Sequence, residues 1–158
     1  MPSSVASLGE RSLVDRIQRR AGRAAPFVTL GIGDDAAVIA PERGTSDVLT
    51  TDALIEDVHF RRAWTSPGAI GHKALAVNLS DLAAMGATPR ASLLSLGLPD
   101  DFPLEDFDAL VDGFVMLADA SGAALVGGNL TRSPGPLIVD VTAVGSVRPR
   151  RLLRRQGA

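Results

Sequence analysis

The stretch GAIGHKALAVNLSDLAAMGATPRASLLSLGL, residues 68–98, decides the fold class. From Gly68 to Met85 its apolar residues recur at helical spacing, with Leu75, Leu79 and Leu82 on one stripe, and Gly86 is placed to end the helix. Ala91–Leu98 then reads as an apolar run of strand length. The helix is short of charge. After His72 and Lys73 its charged positions come down to Asp81, whereas a surface helix carries Glu, Lys or Arg along its outer face, so it is expected to be covered on most sides.

Downstream, Leu104 to about Ala120 reads as a second helix with Phe107, Val111, Phe114 and Leu117 at core spacing, punctuated by Pro103 and Gly122. A short strand at Ala123–Val126, the polar loop GGNLTRSPGP and a strand at Leu137–Val147 follow. Upstream, Ser7-Leu8-Gly9-Glu10 leads into an amphipathic helix through about Arg20, with Leu13, Val14 and Ile17 as its apolar stripe. Residues 36–40 and 47–52, separated by PERGTS, read as a hairpin-like pair of strands, with Asp52 at a strand end. The mixture is α+β, a mixed β-sheet packed with helices, with no sign of a doubly wound nucleotide fold.

A chain of 158 residues can bury roughly 68–70% of its unfolded surface, enough for one self-sufficient core. With no cysteine, disulfides, thiolate zinc sites and cysteine nucleophiles are excluded. No apolar run reaches the length of about 18 residues that a membrane helix needs, and the amino terminus lacks the basic-then-apolar order of a secretory signal. The expectation is a cytoplasmic protein with no membrane partner. Sixteen basic against eighteen acidic residues give a net charge of −2, which does not indicate a nucleic-acid partner. Arg148, Arg150, Arg151, Arg154 and Arg155 nevertheless crowd the end, as a phosphate-facing edge or as a solvated tail.

The chemistry is suggested by Asp34, Asp35, Asp52 and Asp81, carboxylates set among glycine, small or apolar neighbours in GIGDDAAVIA, LTTDALIEDVHF and KALAVNLSDLAAMGA. Carboxylates from distant segments can share a divalent metal that holds polyphosphate. Gly31, Gly33 and the adjacent aspartates also suit a plain turn. Asp52 follows Thr50 and Thr51, whose oxygens suit a hydrated metal, and Asp is depleted in strands. Asp81 is costly to bury unless paired or metal-bound; Lys73 lies two turns away and Asn78 three residues before it. His59 is a possible substrate contact or a packed histidine. In the late loop, the N–H groups of Gly127 and Gly128, the hydroxyls of Thr131 and Ser133 and the cation of Arg132 suit phosphate oxygens, although the loop is no Walker A motif.

GIGDDAAVI, TTDALIEDVHF, KALAVNLSDLAAMGA and GGNLTRSPGP, in this order and at these separations, resemble the amino-terminal half of thiamine-monophosphate kinase, from about residue 7 to the end. That family belongs with aminoimidazole ribonucleotide synthetase, selenophosphate synthetase and the hydrogenase-maturation dehydratase, whose amino-terminal domains pair as a dimeric β-barrel. The resemblance implies a homodimer, with ATP and thiamine monophosphate as partners, Mg2+ as cofactor, and γ-phosphoryl transfer giving thiamine diphosphate by in-line attack. Asp35, Asp52 and Asp81 match the family's magnesium ligands, Asp34 less closely, and Thr50 and Thr51 match accessory metal contacts. His59 matches a thiamine-phosphate contact, Gly127, Gly128 and Asn129 the nucleotide segment, and Arg155 an ATP contact. Many family members carry Asp where this chain has Asn129, which implies a weaker metal site there. The family enzyme is about twice as long, so residues 1–150 are expected to be its ATP/Mg-binding domain and 151–158 the start of a linker to a carboxy-terminal domain. The alternatives are a non-catalytic dimerising or nucleotide-binding module, and a sister enzyme of the same group.

Overall fold

The computed structural model describes residues 4–22 and 24–156. After a 3-10 turn at Val5–Ser7, helix α1 (Glu10–Ala21) buries Leu13 and Ile17 and leaves its polar positions outside. Two short strands, β1 (Val28–Leu30) and β2 (Val38–Ile39), pair antiparallel as a separate ribbon. The main sheet is built from β3 (Ser46–Ile55), β4 (Thr88–Leu98), β5 (Ala124–Arg132) and β6 (Ile138–Val147) in the order β3-β6-β4-β5. Its β3–β6 and β6–β4 pairs are antiparallel, and β4–β5 is parallel.

Helices α2 (Pro67–Ala84) and α3 (Leu104–Ser121) complete the fold. The Ser66 hydroxyl caps α2 by accepting from the Ala69 N–H, and Pro67 occupies its first turn, where the missing N–H costs nothing. Gly86 ends it at φ +71°, a left-handed conformation that disfavours any side chain. The two helices meet at glycines. A Cβ at Gly71 would sit 2.0 Å from Leu110 O, and one at Gly113 2.0 Å from Gly68 O, so their backbones touch where side chains would hold them apart. The core between helices and sheet contains Ile70, Leu75, Phe107, Leu110, Phe114, Leu96, Val139 and Val141, all fully or almost fully buried.

The α+β class, both long helices and strands β4 and β6 agree with expectation within a few residues. Four readings are corrected. The strands at 36–40 and 47–52 do not pair as a hairpin: β2 turns back to β1, and β3 pairs with the distant β6. Arg90, at a bulge in β4, has a physical part in this, since its Nη2–H donates to Ala40 O at 2.6 Å and its guanidinium lies 4.8 Å from the Phe27 ring centre, holding the ribbon to the sheet. Asp52 lies within β3, not at its end. GGNLTR is strand, because β5 runs on through Arg132. Helix α2 is also less covered than expected: Ser80, Asp81, Ala83 and Ala84 are exposed, a face of small residues rather than a buried one.

Candidate functional site

Strand alternation sorts the candidate residues between the two faces of the sheet. Leu54 is in the core, so Thr50 and Asp52, four and two residues before it, share the helix-covered face. There the Thr50 hydroxyl donates to Asp81 Oδ2 of α2 at 2.8 Å. Thr50, Asp52 and Asp81 thus gather where the edge strand β3 meets α2. Asp81 is exposed, and Lys73 does not serve it; the Lys73 ammonium donates to His59 O at 2.7 Å. Asn78 is fully buried, with its amide N–H donating to Ala74 O and its Oδ1 without a partner.

Thr51 points the other way. Its hydroxyl lies 3.2 Å from Asp140 Oδ1 and 3.1 Å from Val141 O, and accepts from Thr142 Oγ1 at 3.3 Å. On this open face the register aligns Ala53, Asp140, Ser95 and Asn129 across four strands, with Thr51, Thr142, Leu93 and Gly127 in the next row.

An open groove of about 1320 Å3 runs beside that face and brings Asp34, Asp35, Gly127, Gly128 and Asn129 together. Asp34 is used by its own turn, since its Oδ1 accepts the Asp35 N–H at 2.8 Å, while Gln18 Nε2 of α1 holds the loop by donating to Ile32 O at 3.1 Å. Asp35 is left facing solvent. Gly128 is required by close approach: at φ +154°, an added Cβ would lie 1.8 Å from Leu94 O. Arg11 of α1 also lines the groove, a cation suited to phosphate that no sequence signal connected to this place.

His59 sits in a tight turn closed by the Asp57 N–H donating to Phe60 O, with Asp57 at φ +65°. Its Nδ1 accepts the Ile55 N–H at 3.0 Å, which leaves Nε2 to carry the proton and donate outward. Arg132 is engaged with Asp100 through a two-pronged ion pair, its Nε donating at 2.8 Å, so it is not a free phosphate ligand as folded. Thr131 is exposed, and the Ser133 hydroxyl donates to Pro136 O. Arg148, Arg150, Arg151, Arg154 and Arg155 are all exposed. The chain carrying them crosses the end of α2, one turn beyond Asp81, where the Leu153 N–H donates to Met85 O at 3.1 Å. The last two positions of the expected linker 151–158 lie outside the described residues.

The folded chain therefore holds two oxygen-rich groups. One lies at the β3 edge on the helix face, the other beside β5 at the opposite edge on the open face, about 14 Å away at three strand spacings. Among the described residues, no three His, Asp or Glu side chains come together as a metal cage. The donors are carboxylates, hydroxyls and a carboxamide, a set whose chemistry fits a hard cation such as Mg2+.

The sequence pattern of the family described as AIR synthase related protein, N-terminal domain, matches residues 33–147. The chain belongs to this family. Within the AIR synthase related family it is 41% identical over 155 residues to the thiamine-monophosphate kinase of Synechococcus elongatus, covering 98% of this chain and 45% of that protein. The crystal structure of thiamine-monophosphate kinase from Stenotrophomonas maltophilia K279a aligns with a TM-score of 0.79 at 47% identity, over 94% of this chain and 45% of that one. AaThiL, solved in complex with AMPPCP and TMP, aligns at 0.69 and 33% identity, over 99% of this chain and 47% of its own. The chain thus spans less than half the length of these relatives. No helix among the described residues is long and apolar enough to cross a membrane.

Proposed function

We propose that this chain supplies the magnesium and nucleotide half of a kinase that transfers the γ-phosphoryl of ATP to thiamine monophosphate. The observation that carries the reading is the hydroxyl of Thr50 set on the carboxylate of Asp81, with Asp52 next on the same face of β3. Similarity to kinases of that name supports the substrate. Asp35, Asp52 and Asp81 would hold Mg2+ with Thr50, Thr51 and Asn129 as neutral donors. The bound metal would neutralise polyphosphate charge and fix its geometry.

The residues of this chain bind and orient. Gly127 and Gly128 present backbone to the phosphates, Arg11 and Arg155 add positive charge, and the outward Nε2–H of His59 donates to thiamine monophosphate. In the transfer itself a phosphate oxygen of thiamine monophosphate forms a bond to the γ-phosphorus, the bond to the β–γ bridging oxygen breaks, and ADP leaves with its electron pair. Positioning and electrostatics supply the rate, with no phosphoenzyme. The setting proposed is the cytoplasm, which supplies ATP.

The proposal extends to a homodimer. Both β3 and β5 are edge strands, and the face between them exposes apolar side chains, with Leu49 68% exposed. A two-fold partner pairing its β5 beside β3 would bring the groove of one copy to Thr50, Asp52 and Asp81 of the other, joining groups that a single chain keeps apart. Residues 1–150 are proposed as the catalytic platform and the last few as the path toward the remaining domain that the relatives' length implies.

Calorimetric titration with a non-hydrolysable ATP analogue, with and without Mg2+, tests the reading. Magnesium-dependent binding is expected, and Asp81→Asn should weaken it at least tenfold with the fold unchanged. Equal affinity in wild type and variant would remove Asp81 from the site, and no binding by the wild type would overturn the reading.

A further inference from the structure

Asp81 stands in the last turn of α2, four residues before Met85, and the carbonyls of a last turn find no partner further along their own helix. Three of them are served locally: the Met85 N–H donates to Asp81 O at 3.2 Å, the Gly86 N–H to Ala83 O at 2.9 Å and the Ala87 N–H to Leu82 O at 2.9 Å. Met85 O is served from far along the chain, by the Leu153 N–H at 3.1 Å. A path of two hydrogen bonds through Met85 therefore joins Leu153 to the backbone of Asp81, whose carboxylate accepts the Thr50 hydroxyl.

Residues 151–153 lie across that helix end as a strap. β6 finishes at Val147, Pro149 opens a 3-10 turn through Arg151, and the chain then passes over the end of α2. Packing anchors it: Leu152 sits against Leu82, Ala87, Ala143 and Val147, a small apolar cluster separate from the main core. The strap runs so close that a Cβ at Gly86 would lie 2.8 Å from Arg151 O and 3.3 Å from Leu153 Cγ. Gly86 is thus required twice, by its left-handed φ and by the backbone that passes over it.

We infer that residues 151–153 position Asp81, with Leu152 as the packed anchor and the Leu153 N–H as the tie to the helix end. The inference rests on the proposed function for the role of Asp81. Leu152 and Leu153 are positioning residues, because they act on the carboxylate through the last turn of α2. With the strap in place the turn is closed at both ends and the carboxylate meets Thr50 in one geometry; with the strap loosened the turn frays and that geometry is lost.

Leu152→Ala removes the anchor and Leu153→Pro removes the N–H; Leu152 is already extended at ψ 119°, as a residue before proline must be. Titration of the full chain with the non-hydrolysable ATP analogue and Mg2+ is expected to show each variant about fivefold weaker. Hydrogen exchange at the Met85 and Ala87 amides should be about tenfold faster than in the wild type. Leu152→Met, which nearly conserves volume, is expected to restore both readouts. Leu152→Ala made in the Asp81→Asn chain separates positioning from plain support: no further loss of affinity is expected, because the carboxylate being positioned is gone. Val115→Ala, buried on α3, lowers overall stability and should leave affinity unchanged. Wild-type affinity in both Leu152→Ala and Leu153→Pro overturns the inference. An undiminished loss in the Asp81→Asn chain, or an equal loss in Val115→Ala, overturns it too, since the strap would then act elsewhere or through overall stability. If Asp81→Asn is weakened and the strap variants are not, only this inference falls; if Asp81→Asn binds as the wild type does, or the wild type does not bind, the proposed function falls and the inference with it.

Discussion

The two faces of the four-stranded sheet are made from alternate residues of the same strands, yet they follow different rules. Toward the helices, Val139 and Val141 of β6 are fully buried among Leu94, Leu96, Phe107 and Phe114, and Ala143 is fully buried beside Leu82, Ala87 and Val147. Toward the open side, Ile138, Asp140, Thr142 and Val144 of the same strand remain partly exposed beside Leu49, Thr51 and Ser95. Packing decides the first face, where every methylene is surrounded. The second combines apolar residues with hydroxyls and a lone carboxylate, a composition poorly suited to a core and well suited to a ligand or a second sheet.

The largest effect is expected where the helix-covered face is emptied. Phe107→Ala removes a fully buried ring and should cost about 3–5 kcal/mol, read as a fall in the urea midpoint at unchanged slope. A sharper contrast comes from one substitution made on each face of β6. Val139→Thr puts a hydroxyl without a partner among apolar side chains and should cost about 1–3 kcal/mol, whereas Val144→Thr on the open face should stay within about 0.5 kcal/mol in dilute protein. Sedimentation at rising concentration extends the contrast: if open faces meet, Val144→Thr should weaken association while Val139→Thr should not. Equal stability losses in the two variants would break the distinction between the faces.

The smallest effect belongs to the rim. Glu56 follows β3 and is largely buried; burial pushes its carboxyl up, but the Arg62 hydrogen bond, the Leu137 N–H and the Arg62 charge outweigh that and hold it below its ordinary value of 4.5. A carboxyl depressed by folding contributes stability that is present above its unfolded value and is lost as pH falls through the folded one. Glu56→Gln should therefore flatten the part of the stability profile below about pH 4.5 that this group supplies, and an unchanged acid profile would show the contacts to be too weak to matter.

Much of this arrangement was legible in the sequence where the signal was local. Periodicity and punctuation located α2 and α3, since Gly86, Pro103 and Gly122 act within a turn of the ends they define. Strand partners were not local. The β2–β3 hairpin failed because Arg90, fifty residues beyond Ala40, draws the ribbon away. Gly127 and Gly128 read as loop because glycine weakens strands, yet the strand passes so close to Leu94 that Gly128 admits no side chain. Of the candidate site, composition singled out Asp81 as a lone acid on a charge-poor helix, but its Thr50 partner was not legible, because it comes from a strand that only tertiary packing brings alongside.

The glycine crossing of α2 and α3 has a mechanical side. Gly71 is ten residues from Asp81, about 15 Å along the helix, so the crossing is a pivot and Asp81 rides on the end of a lever. With backbones already in contact, the pivot has almost no slack, and a side chain added there would tilt the arm. A tilt of about 5° would carry Asp81 roughly 1.3 Å from Thr50, a displacement on the order of those that cost a hundredfold in a positioned reaction. Small residues far from any ligand can thus govern the aim of the one carboxylate that the helix carries to the edge of the sheet.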